Sequence, residues 1–176
     1  SSFNNISASY SCGSFMVLVS DDIDDDSVEN TDETEDETIN INLSFYSDDL
    51  TATLGSQLSI PVYVEGFNDI VSFQGTITFD PLVLSYVSDF SSLDNVSFGY
   101  SQISEGILTY SWYDNSLDGI TLTDESELFS IDFVVVGESG ESSDICFSNT
   151  PTLLETIDSS FNNISASYSC GSFMVL

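Results

Sequence analysis

The sequence predicts an all-β domain in which two antiparallel sheets pack face to face as a sandwich. Apolar and polar residues alternate with period two through most of residues 39–176, which is the pattern of strands with one buried face. Turn-forming residues recur about every ten residues, the spacing typical of a sandwich of short strands. No stretch of this region shows helical periodicity, so the sequence favours strands throughout.

The first three strands follow from the alternation itself. Residues 39–45 read Ile-Asn-Ile-Asn-Leu-Ser-Phe, which predicts a half-buried strand. Residues 58–64 form the next strand, and Pro61 within it indicates an edge position or a bulge, because proline cannot donate a ladder hydrogen bond. Residues 71–79 alternate again until an Asp-Pro turn ends the run.

The second half of the domain continues this pattern. Residues 128–136, LFSIDFVVV, form the run richest in β-branched and aromatic residues, and Gly137 ends it. A Glu-Gly turn opens the predicted strand of residues 106–112. The remaining predicted strands are residues 84–87, 145–147 and 171–176.

The chain contains an internal repeat. Residues 1–18 and residues 159–176 are identical, SSFNNISASYSCGSFMVL, at an offset of 158 residues. Identity at a fixed distance is the mark of a tandem array, and a period of this length accommodates one whole domain. We therefore expect residues 1–18 to be the closing strand of a preceding repeat and residues 39–176 to be a complete domain. The alternatives are insertion of that strand into a neighbouring domain and an accidental duplication.

The charge of the chain is all of one sign. It contains 30 Asp and Glu residues and no Lys, Arg or His, which gives a net charge of −30. Ion pairs between side chains are therefore impossible, and repulsion excludes nucleic acid and anionic membrane surfaces as partners. No stretch approaches the roughly 20 apolar residues of a membrane span. We expect a secreted, cell-surface protein, since a saline exterior supplies cations that screen the self-repulsion.

The composition also argues against an enzyme. Without His, Lys or Arg, the chain has no Ser-His-Asp or Cys-His triad, no Schiff-base lysine and no basic group to hold a phosphate. Two carboxylates alone can hydrolyse a glycoside, but Asp residues in turns are common for local hydrogen-bonding reasons. The candidates by residue type are Asp80, Asp114, Asp118 and Asp132.

Residues 19–38 form an acidic segment. It holds eleven carboxylates and almost no apolar residues, which predicts an extended linker between domains. Within it, Asp22, Asp24, Asp26 and Glu33 have the spacing of an EF-hand loop, although Ser replaces the usual glycine and no helices flank the segment. We expect Ca²⁺, the only cofactor indicated, to associate with these oxygen ligands and stiffen the linker.

The chain has three cysteines, and the repeat relates two of them. Cys12 is the repeat equivalent of Cys170, so each unit owns two cysteines. The simple prediction for an exported chain is one disulfide between Cys146 and Cys170, with Cys12 paired outside this chain. The alternative is a pair of buried free thiols.

Aromatic residues cluster between residues 100 and 113. One interpretation places them in the core, as the alternation indicates, and the other makes them a contact patch on one sheet face. The residues concerned are Tyr100, Tyr110, Trp112 and Tyr113.

Residues 53–87 contain a series of spaced elements: Gly55, Ile60-Pro61-Val62, Gly66-Phe67-Asn68-Asp69-Ile70, Phe79-Asp80-Pro81 and Leu84. With these elements, the segment resembles the front half of cohesin modules. The later segments GILTYSW and LFSIDFVVV also fit, so the resemblance covers about residues 39–176. It implies a sandwich of about nine strands with jelly-roll topology.

The resemblance implies two kinds of function. Cohesins of cellulosomes bind dockerin modules through one sheet face, and cohesin-like domains recur in tandem arrays of giant surface proteins of gliding marine Bacteroidetes, including grappling-hook filaments. The missing basic residues and the acidic linker are more similar to the second group. We therefore expect a structural repeat unit of an extracellular filament or adhesin, which associates with copies of itself and mediates surface attachment or prey capture. The alternative is a binding module for dockerin or a surface carbohydrate.

Overall fold

The structure, a computed structural model, describes residues 43–176 of the chain. They belong to the second of the two units into which the chain divides, Ser1–Thr38 and Ile39–Leu176. Apart from one 3₁₀ turn at Ile103–Glu105, every regular element of the described residues is a strand, so the prediction of an all-β domain is confirmed. No helix among these residues is long and apolar enough to cross a membrane.

The strands are β1 (Leu43–Tyr46), β2 (Leu50–Ala52), β3 (Gln57–Glu65), β4 (Ile70–Thr78), β5 (Leu84–Ser91), β6 (Ser97–Gly99), β7 (Ile107–Tyr113), β8 (Ser126–Val135), β9 (Ser142–Ser148), β10 (Glu155–Asp158), β11 (Ala166–Ser169) and β12 (Gly171–Val175).

The strands form two sheets that pack face to face. The five-stranded sheet has the order β11-β1-β3-β8-β5. The seven-stranded sheet has the order β2-β12-β9-β4-β7-β6, and β10 also pairs with β4, along the part of that strand that β9 leaves open. The predicted two-sheet sandwich is therefore confirmed. Its central strands, β3 and β8 in one sheet and β4 and β7 in the other, are the ones with the clearest alternation in the sequence.

The core lies between the sheets and is rich in aromatic side chains. Because side chains alternate along a strand, every second residue of a central strand points inward, as Phe73 and Ile77 do on β4. Burying one such side chain contributes roughly 1.5–3 kcal/mol relative to leaving it exposed. The largest fully buried side chains include Phe45, Phe67, Phe73, Phe129, Phe133 and Phe173.

The described residues contain twelve strands where the resemblance implies about nine, partly because two lengths of chain pass from one sheet to the other. After β1 the chain leaves the five-stranded sheet and enters the seven-stranded sheet as β2. The C-terminal chain does the same between β11 and β12, changing sheets at Cys170. The two lengths run side by side in parallel, β1 with β11 and β2 with β12, whereas the other strand pairs of the described residues are antiparallel.

Pro61 lies in β3, which is a central strand and not an edge strand. The register between β3 and β8 shifts between Val62 and Tyr63, directly after Pro61, so the bulge is the alternative that the structure shows. The Pro61 carbonyl accepts a hydrogen bond from the Ser47 hydroxyl at 2.8 Å. This bond fastens the bend between β1 and β2 to the five-stranded sheet.

Candidate interaction face

In the seven-stranded sheet, the outward positions of β4 and β7 carry no charged side chain. We call these eight residues the neutral face: Ser72, Gln74, Thr76 and Thr78 on β4, and Ile107, Thr109, Ser111 and Tyr113 on β7. The two strands pair so that Gln74 lies opposite Ser111 and Thr76 lies opposite Thr109. In a chain with a net charge of −30, eight adjacent sheet residues without a carboxylate among them are a candidate for contact with a partner.

A loop formed by residues 149–154, between β9 and β10, is anchored on the neutral face. The Thr76 hydroxyl donates a hydrogen bond to the Thr152 carbonyl at 3.0 Å and accepts one from the Thr152 amide at 3.0 Å. Thr76 is fully buried as a result. The next residue, Leu153, is 64% exposed, so the loop presents an apolar side chain beside the face.

Glu155 on β10 borders the neutral face, since it pairs with Gln74. Its Oε2 accepts a hydrogen bond from the Gln74 side-chain amide at 3.4 Å, and its Oε1 accepts one from the Asn163 side-chain amide at 3.3 Å. Both carboxylate oxygens therefore have donors within the domain. Hydrogen bonds from Gln74 and Asn163 thus fix the Glu155 side chain at the edge of the neutral face.

The outer surface of the five-stranded sheet differs in charge. Its central strands carry Glu65 on β3, and Glu127 and Asp132 on β8. Tyr46 and Tyr63 pack against each other there, with ring centroids 5.5 Å apart. Desolvation raises the pKa of Tyr46, and the Glu65 carboxylate raises it further. The outward positions of β3 and β8 thus include carboxylates, whereas those of β4 and β7 do not.

Two of the four aromatic residues considered for a contact patch belong to the core. Tyr110 and Trp112 are 2% and 5% exposed, because their positions on β7 alternate with those of the neutral face. The Trp112 indole donates to the Asp94 carbonyl at 2.9 Å, and burial raises the pKa of Tyr110. The prediction that these two residues contribute to a contact patch is wrong, and the core interpretation describes them.

The other two residues, Tyr100 and Tyr113, are exposed but do not share a surface. Tyr113 ends β7 and belongs to the neutral face. Tyr100 follows β6, and its hydroxyl donates to Asp89 Oδ2 at 2.8 Å, an oxygen that also accepts from the Tyr86 hydroxyl. Desolvation and the hydrogen bond to Asp89 raise the pKa of Tyr100. Of the four aromatic residues, only Tyr113 is placed to touch a partner at the neutral face.

Cys146 and Cys170 form a disulfide bond. Cys146 belongs to β9, and Cys170 lies between β11 and β12, so the bond fastens the last two strands to the seven-stranded sheet. Cys170 is exposed and Cys146 is half-buried, which leaves the disulfide accessible to solvent. Cys12 lies outside the described residues.

The loop after β7 holds two of the Asp residues considered for catalysis, Asp114 and Asp118. Asp114 accepts hydrogen bonds from the Ser116 hydroxyl at 2.7 Å, from the Ser116 amide at 3.0 Å and from the Gly119 amide at 3.1 Å. The hydroxyl and the amides hold the pKa of Asp114 below its usual value. Its carboxylate shapes the loop, as the turn interpretation of the sequence expects.

The other two, Asp80 and Asp132, are also engaged in local hydrogen bonds. Asp80 Oδ1 accepts from the Leu82 amide at 2.9 Å, which closes the turn before β5. Asp132 accepts from the Ser88 hydroxyl at 2.7 Å across the pair formed by β5 and β8. These contacts favour structural roles for both carboxylates.

The candidate calcium ligands Asp22, Asp24, Asp26 and Glu33 lie outside the described residues, as do the proposed closing strand at residues 1–18 and the acidic linker. Within residues 43–176, no group of three or more acidic or cysteine side chains is arranged to hold a metal ion. Calcium binding by the linker stays a prediction.

The chain matches the family model described as "Cohesin domain" over residues 43–167. No curated protein matches it. Solved structures with a similar fold are numerous, and three cohesins are among them.

The first is the OlpA cohesin of Clostridium thermocellum in complex with a dockerin, with 16% identity, a TM-score of 0.67, and coverage of 77% of this chain and 99% of that chain. The second is the sixth cohesin of scaffoldin B from Acetivibrio cellulolyticus, also in complex with a dockerin, with 18% identity, a TM-score of 0.67 and coverage of 77% and 99%. The third is a non-cellulosomal cohesin from the archaeon Archaeoglobus fulgidus, with 20% identity, a TM-score of 0.63 and coverage of 77% and 91%. At these identities the likeness shows a shared fold.

Proposed function

This chain belongs to the cohesin family, whose domains are non-catalytic binding modules, and on that premise we propose that it binds a protein module through the neutral face. A dockerin or a module of similar surface chemistry is the proposed partner, because two of the similar solved cohesins are in complex with dockerins. The observation that carries the proposal is that none of the eight residues of this face is charged, in a chain of net charge −30 whose nearest carboxylate there, Glu155, is hydrogen-bonded to Gln74 and Asn163.

Contact with a partner removes water from both proteins. The sheet surface with fewer carboxylates at its contact positions is therefore the more favourable one for binding. Burying a carboxylate without a cationic partner costs several kcal/mol, whereas a neutral hydroxyl or amide costs less and finds a hydrogen-bond partner more readily. The neutral face offers hydroxyl and amide groups at Gln74, Thr109 and Ser111. Contact there leaves Glu65 and Asp132, on the opposite surface of the sandwich, in water.

Two exposed side chains supply apolar area to the same surface. Tyr113 is 57% exposed at the end of β7, and Leu153 is 64% exposed on the 149–154 loop. Aromatic residues dominate binding energy at protein interfaces, while surrounding polar contacts exclude water. We therefore assign Tyr113 as the main anchor of the partner, with Leu153 contributing a second apolar contact.

A matched pair of charge insertions tests this assignment. Ser111→Asp places a carboxylate at the centre of the neutral face, and Ser85→Asp makes the same substitution on β5, at an exposed position of the other sheet. Affinities for a panel of dockerins are measured by calorimetry. Ser111→Asp is expected to weaken binding by at least about tenfold, a loss of 1.4 kcal/mol, and Ser85→Asp to leave it unchanged. Weakening by Ser85→Asp alone would place the partner on the other sheet.

The same assay separates a protein partner from a carbohydrate. Surface glycans are titrated against the wild-type chain and against Tyr113→Ala. Saturable binding of a glycan, lost in Tyr113→Ala, together with no binding of any dockerin, would identify a carbohydrate module and refute the protein partner. Binding of a dockerin that resists excess glycan supports the proposal.

We propose as a second function that the domain is the repeat unit of an extracellular filament or adhesin at the cell surface. The observation that favours it is the identity of residues 1–18 with residues 159–176 at an offset of 158. The disulfide and the acidic composition are consistent with a secreted chain in a saline medium, such as that of gliding marine bacteria. In this role the domains associate with copies of themselves, and the filament captures surfaces or prey cells.

Electron microscopy of the native assembly tests the repeat-unit role. The expected image is a filament with one bead for each repeat, and dispersed single domains would refute it. Removal of Ca²⁺ with EDTA is expected to loosen or lengthen the filament, because the carboxylates at Asp22, Asp24, Asp26 and Glu33 would repel one another. A filament whose length and stiffness do not change would remove Ca²⁺ from the proposal.

A further inference from the structure

Residues 159–176 close the sandwich by filling a slot between three strands. Strand β11 pairs with β1 at the edge of the five-stranded sheet, and β12 lies between β2 and β9 in the seven-stranded sheet. We call the edges of β1, β2 and β9 that they cover the closing slot. Its strands come from residues 43–52 and 142–148, so the slot is built by parts of the chain other than the segment that fills it.

The closing slot selects its occupant through side chains as well as backbone pairing. Phe173 and Val175 are each 1% exposed, and Tyr168 stacks on a core phenylalanine, Phe45, with ring centroids 5.2 Å apart. Gly171 passes so close to the bend between β1 and β2 that an added Cβ would meet backbone atoms there. A segment that fits the slot must present a tyrosine, a glycine and two apolar residues at these spacings.

Residues 1–18 present the same groups in the same order. The residues that correspond to the four anchors are Tyr10, Gly13, Phe15 and Val17. Because the two segments are identical in sequence, either can make the same hydrogen bonds and bury the same side chains in the slot. Residues 1–18 therefore match the closing slot as well as residues 159–176 do.

We propose that the closing slot accepts residues 1–18 of a second copy of this chain in place of its own residues 159–176. The exchange joins two copies by main-chain pairing, as in other cases of strand addition. It leaves the number of hydrogen bonds and the buried area in the slot unchanged, because the incoming and the departing segments are identical. The filled slot holds the same set of contacts in both arrangements.

The acidic linker favours insertion of residues 1–18 from a second copy over insertion of the same residues from the chain that forms the slot. Since β11–β12 run parallel to β1–β2, residue 18 in the slot would lie beside Ala52, at the far end from Leu43. Within one chain, residues 19–42 would then have to return along a domain of the same charge while carrying eleven carboxylates. Repulsion opposes that path and favours a linker extended away from the acceptor.

The disulfide allows the exchange to become covalent. Cys12 is equivalent to Cys170 and would reach Cys146 in the exchanged arrangement. The Cys12 thiolate attacks Sγ of Cys146, the bond between Cys12 and Cys146 forms as the bond between Cys146 and Cys170 breaks, and Cys170 leaves as a thiolate. One disulfide and one thiolate are present before and after, so no oxidant is required.

This inference deepens the proposed repeat-unit role and rests on it for its biological setting. Strand exchange would connect copies through a folded slot and a disulfide, so that their connection does not depend on the acidic linker alone. It makes no use of the neutral face, which stays available to a different partner.

The test mixes two full-length variants in buffer without an added oxidant. The donor carries Cys146→Ser and Cys170→Ser, so that Cys12 is its one cysteine, and the acceptor carries Cys12→Ser and keeps its disulfide. The donor needs only residues 1–18 for the reaction, so the loss of its own disulfide does not weaken the design. A mixed disulfide is expected on a non-reducing gel, and mass spectrometry is expected to identify Cys12 joined to Cys146.

A second donor, which also carries Phe15→Asp and Val17→Asp, controls for random thiol collision. It keeps Cys12 but cannot bury its anchors, and we expect at least about tenfold less mixed disulfide. Three results would each overturn the inference: no mixed disulfide, equal yields from both donors, or Cys12 joined mainly to Cys170. Formation of the Cys12–Cys146 bond by chains that form no filament in the microscope would uphold strand exchange and refute the filament role.

Discussion

Tyr110 lies directly opposite Gly75 in the pairing of β7 with β4, and its phenol ring reaches over that glycine. A Cβ at residue 75 would come within 2.5 Å of the Tyr110 hydroxyl and of the Leu154 side chain. The missing side chain is what allows a tyrosine and a leucine to share this place inside the sandwich. Because Leu154 ends the 149–154 loop, the same contact fixes one end of the loop that borders the neutral face.

Replacing Gly75 with alanine is therefore expected to lower the free energy of unfolding by about 1–3 kcal/mol, the usual cost of overpacking a core. The measurement is urea unfolding followed by the fluorescence of Trp112. Ser111→Ala, at an exposed position on the paired strand β7, serves as the control and should stay within about 0.5 kcal/mol of the wild type. If Gly75→Ala unfolds at the wild-type urea concentration, the contact between Tyr110 and residue 75 is looser than described.

The hydroxyl of Thr76 is expected to hold the 149–154 loop in place. Thr76→Val removes both hydrogen bonds to Thr152, and the loss of two part-buried hydrogen bonds is expected to cost about 1–3 kcal/mol in total. Hydrogen exchange of residues 149–154 should accelerate in this variant and stay unchanged in Thr109→Val, the same substitution on β7. Equal exchange in both variants would show that the loop is held by other contacts.

The disulfide is expected to contribute about 3 kcal/mol to the free energy of unfolding. Cys146 and Cys170 are 24 residues apart, and the loop-entropy relation gives this magnitude for such a separation. The double variant Cys146→Ser/Cys170→Ser is compared with Cys12→Ser, which changes a cysteine outside the described residues. A loss of under about 1 kcal/mol in the double variant would contradict the entropic account.

Asp49 links the last strand, β12, to the bend between β1 and β2. Its Oδ1 accepts hydrogen bonds from the amide and the hydroxyl of Ser172, each at 2.8 Å, and these bonds hold the pKa of Asp49 below its ordinary value of 3.8. A carboxyl group whose pKa is lower in the folded state stabilises the fold above its unfolded pKa. That contribution is lost as the pH falls through the folded value.

Asp49→Asn is thus expected to lower stability at pH 6, and its difference from the wild type should shrink as the pH falls toward 2. Thermal unfolding across this range measures the difference. Asp118→Asn removes the same unit of charge from an exposed loop, so subtracting its effect corrects for the general relief of repulsion at low pH. A difference between wild type and Asp49→Asn that stays constant with pH would contradict the role given to the Ser172 hydrogen bonds.

The alternation of residue types was enough to find the four central strands. Residues 58–64 and 71–79 were predicted, and the structure has β3 at Gln57–Glu65 and β4 at Ile70–Thr78. Each of these strands buries one face over many residues, so its own sequence shows the alternation that predicts a strand there. Strands β6 and β10 are three and four residues long and exist because a longer neighbour pairs with them, which no local pattern records.

The candidate site was only partly visible in the sequence. The polar positions of β4 and β7 are uncharged in a chain with 30 carboxylates, and this contrast could have indicated the neutral face. The sequence leaves core and contact patch open for the aromatic residues near β7, and the structure places Tyr110 and Trp112 in the core and Tyr113 on the surface. The contact of Thr76 with Thr152 joins residues 76 positions apart, so it depends on tertiary structure.

The central claim is that a protein partner covers the neutral face, and hydroxyl-radical footprinting of the chain with and without a bound dockerin measures this most directly. Exposed aromatic and aliphatic side chains are labelled, so each sheet surface has its own reporters. Tyr113 and Leu153 are predicted to lose labelling in the complex, while Tyr63 and Phe90, on the outer surface of the five-stranded sheet, keep theirs. Protection of Tyr63 and Phe90, with Tyr113 and Leu153 still labelled, would contradict the account.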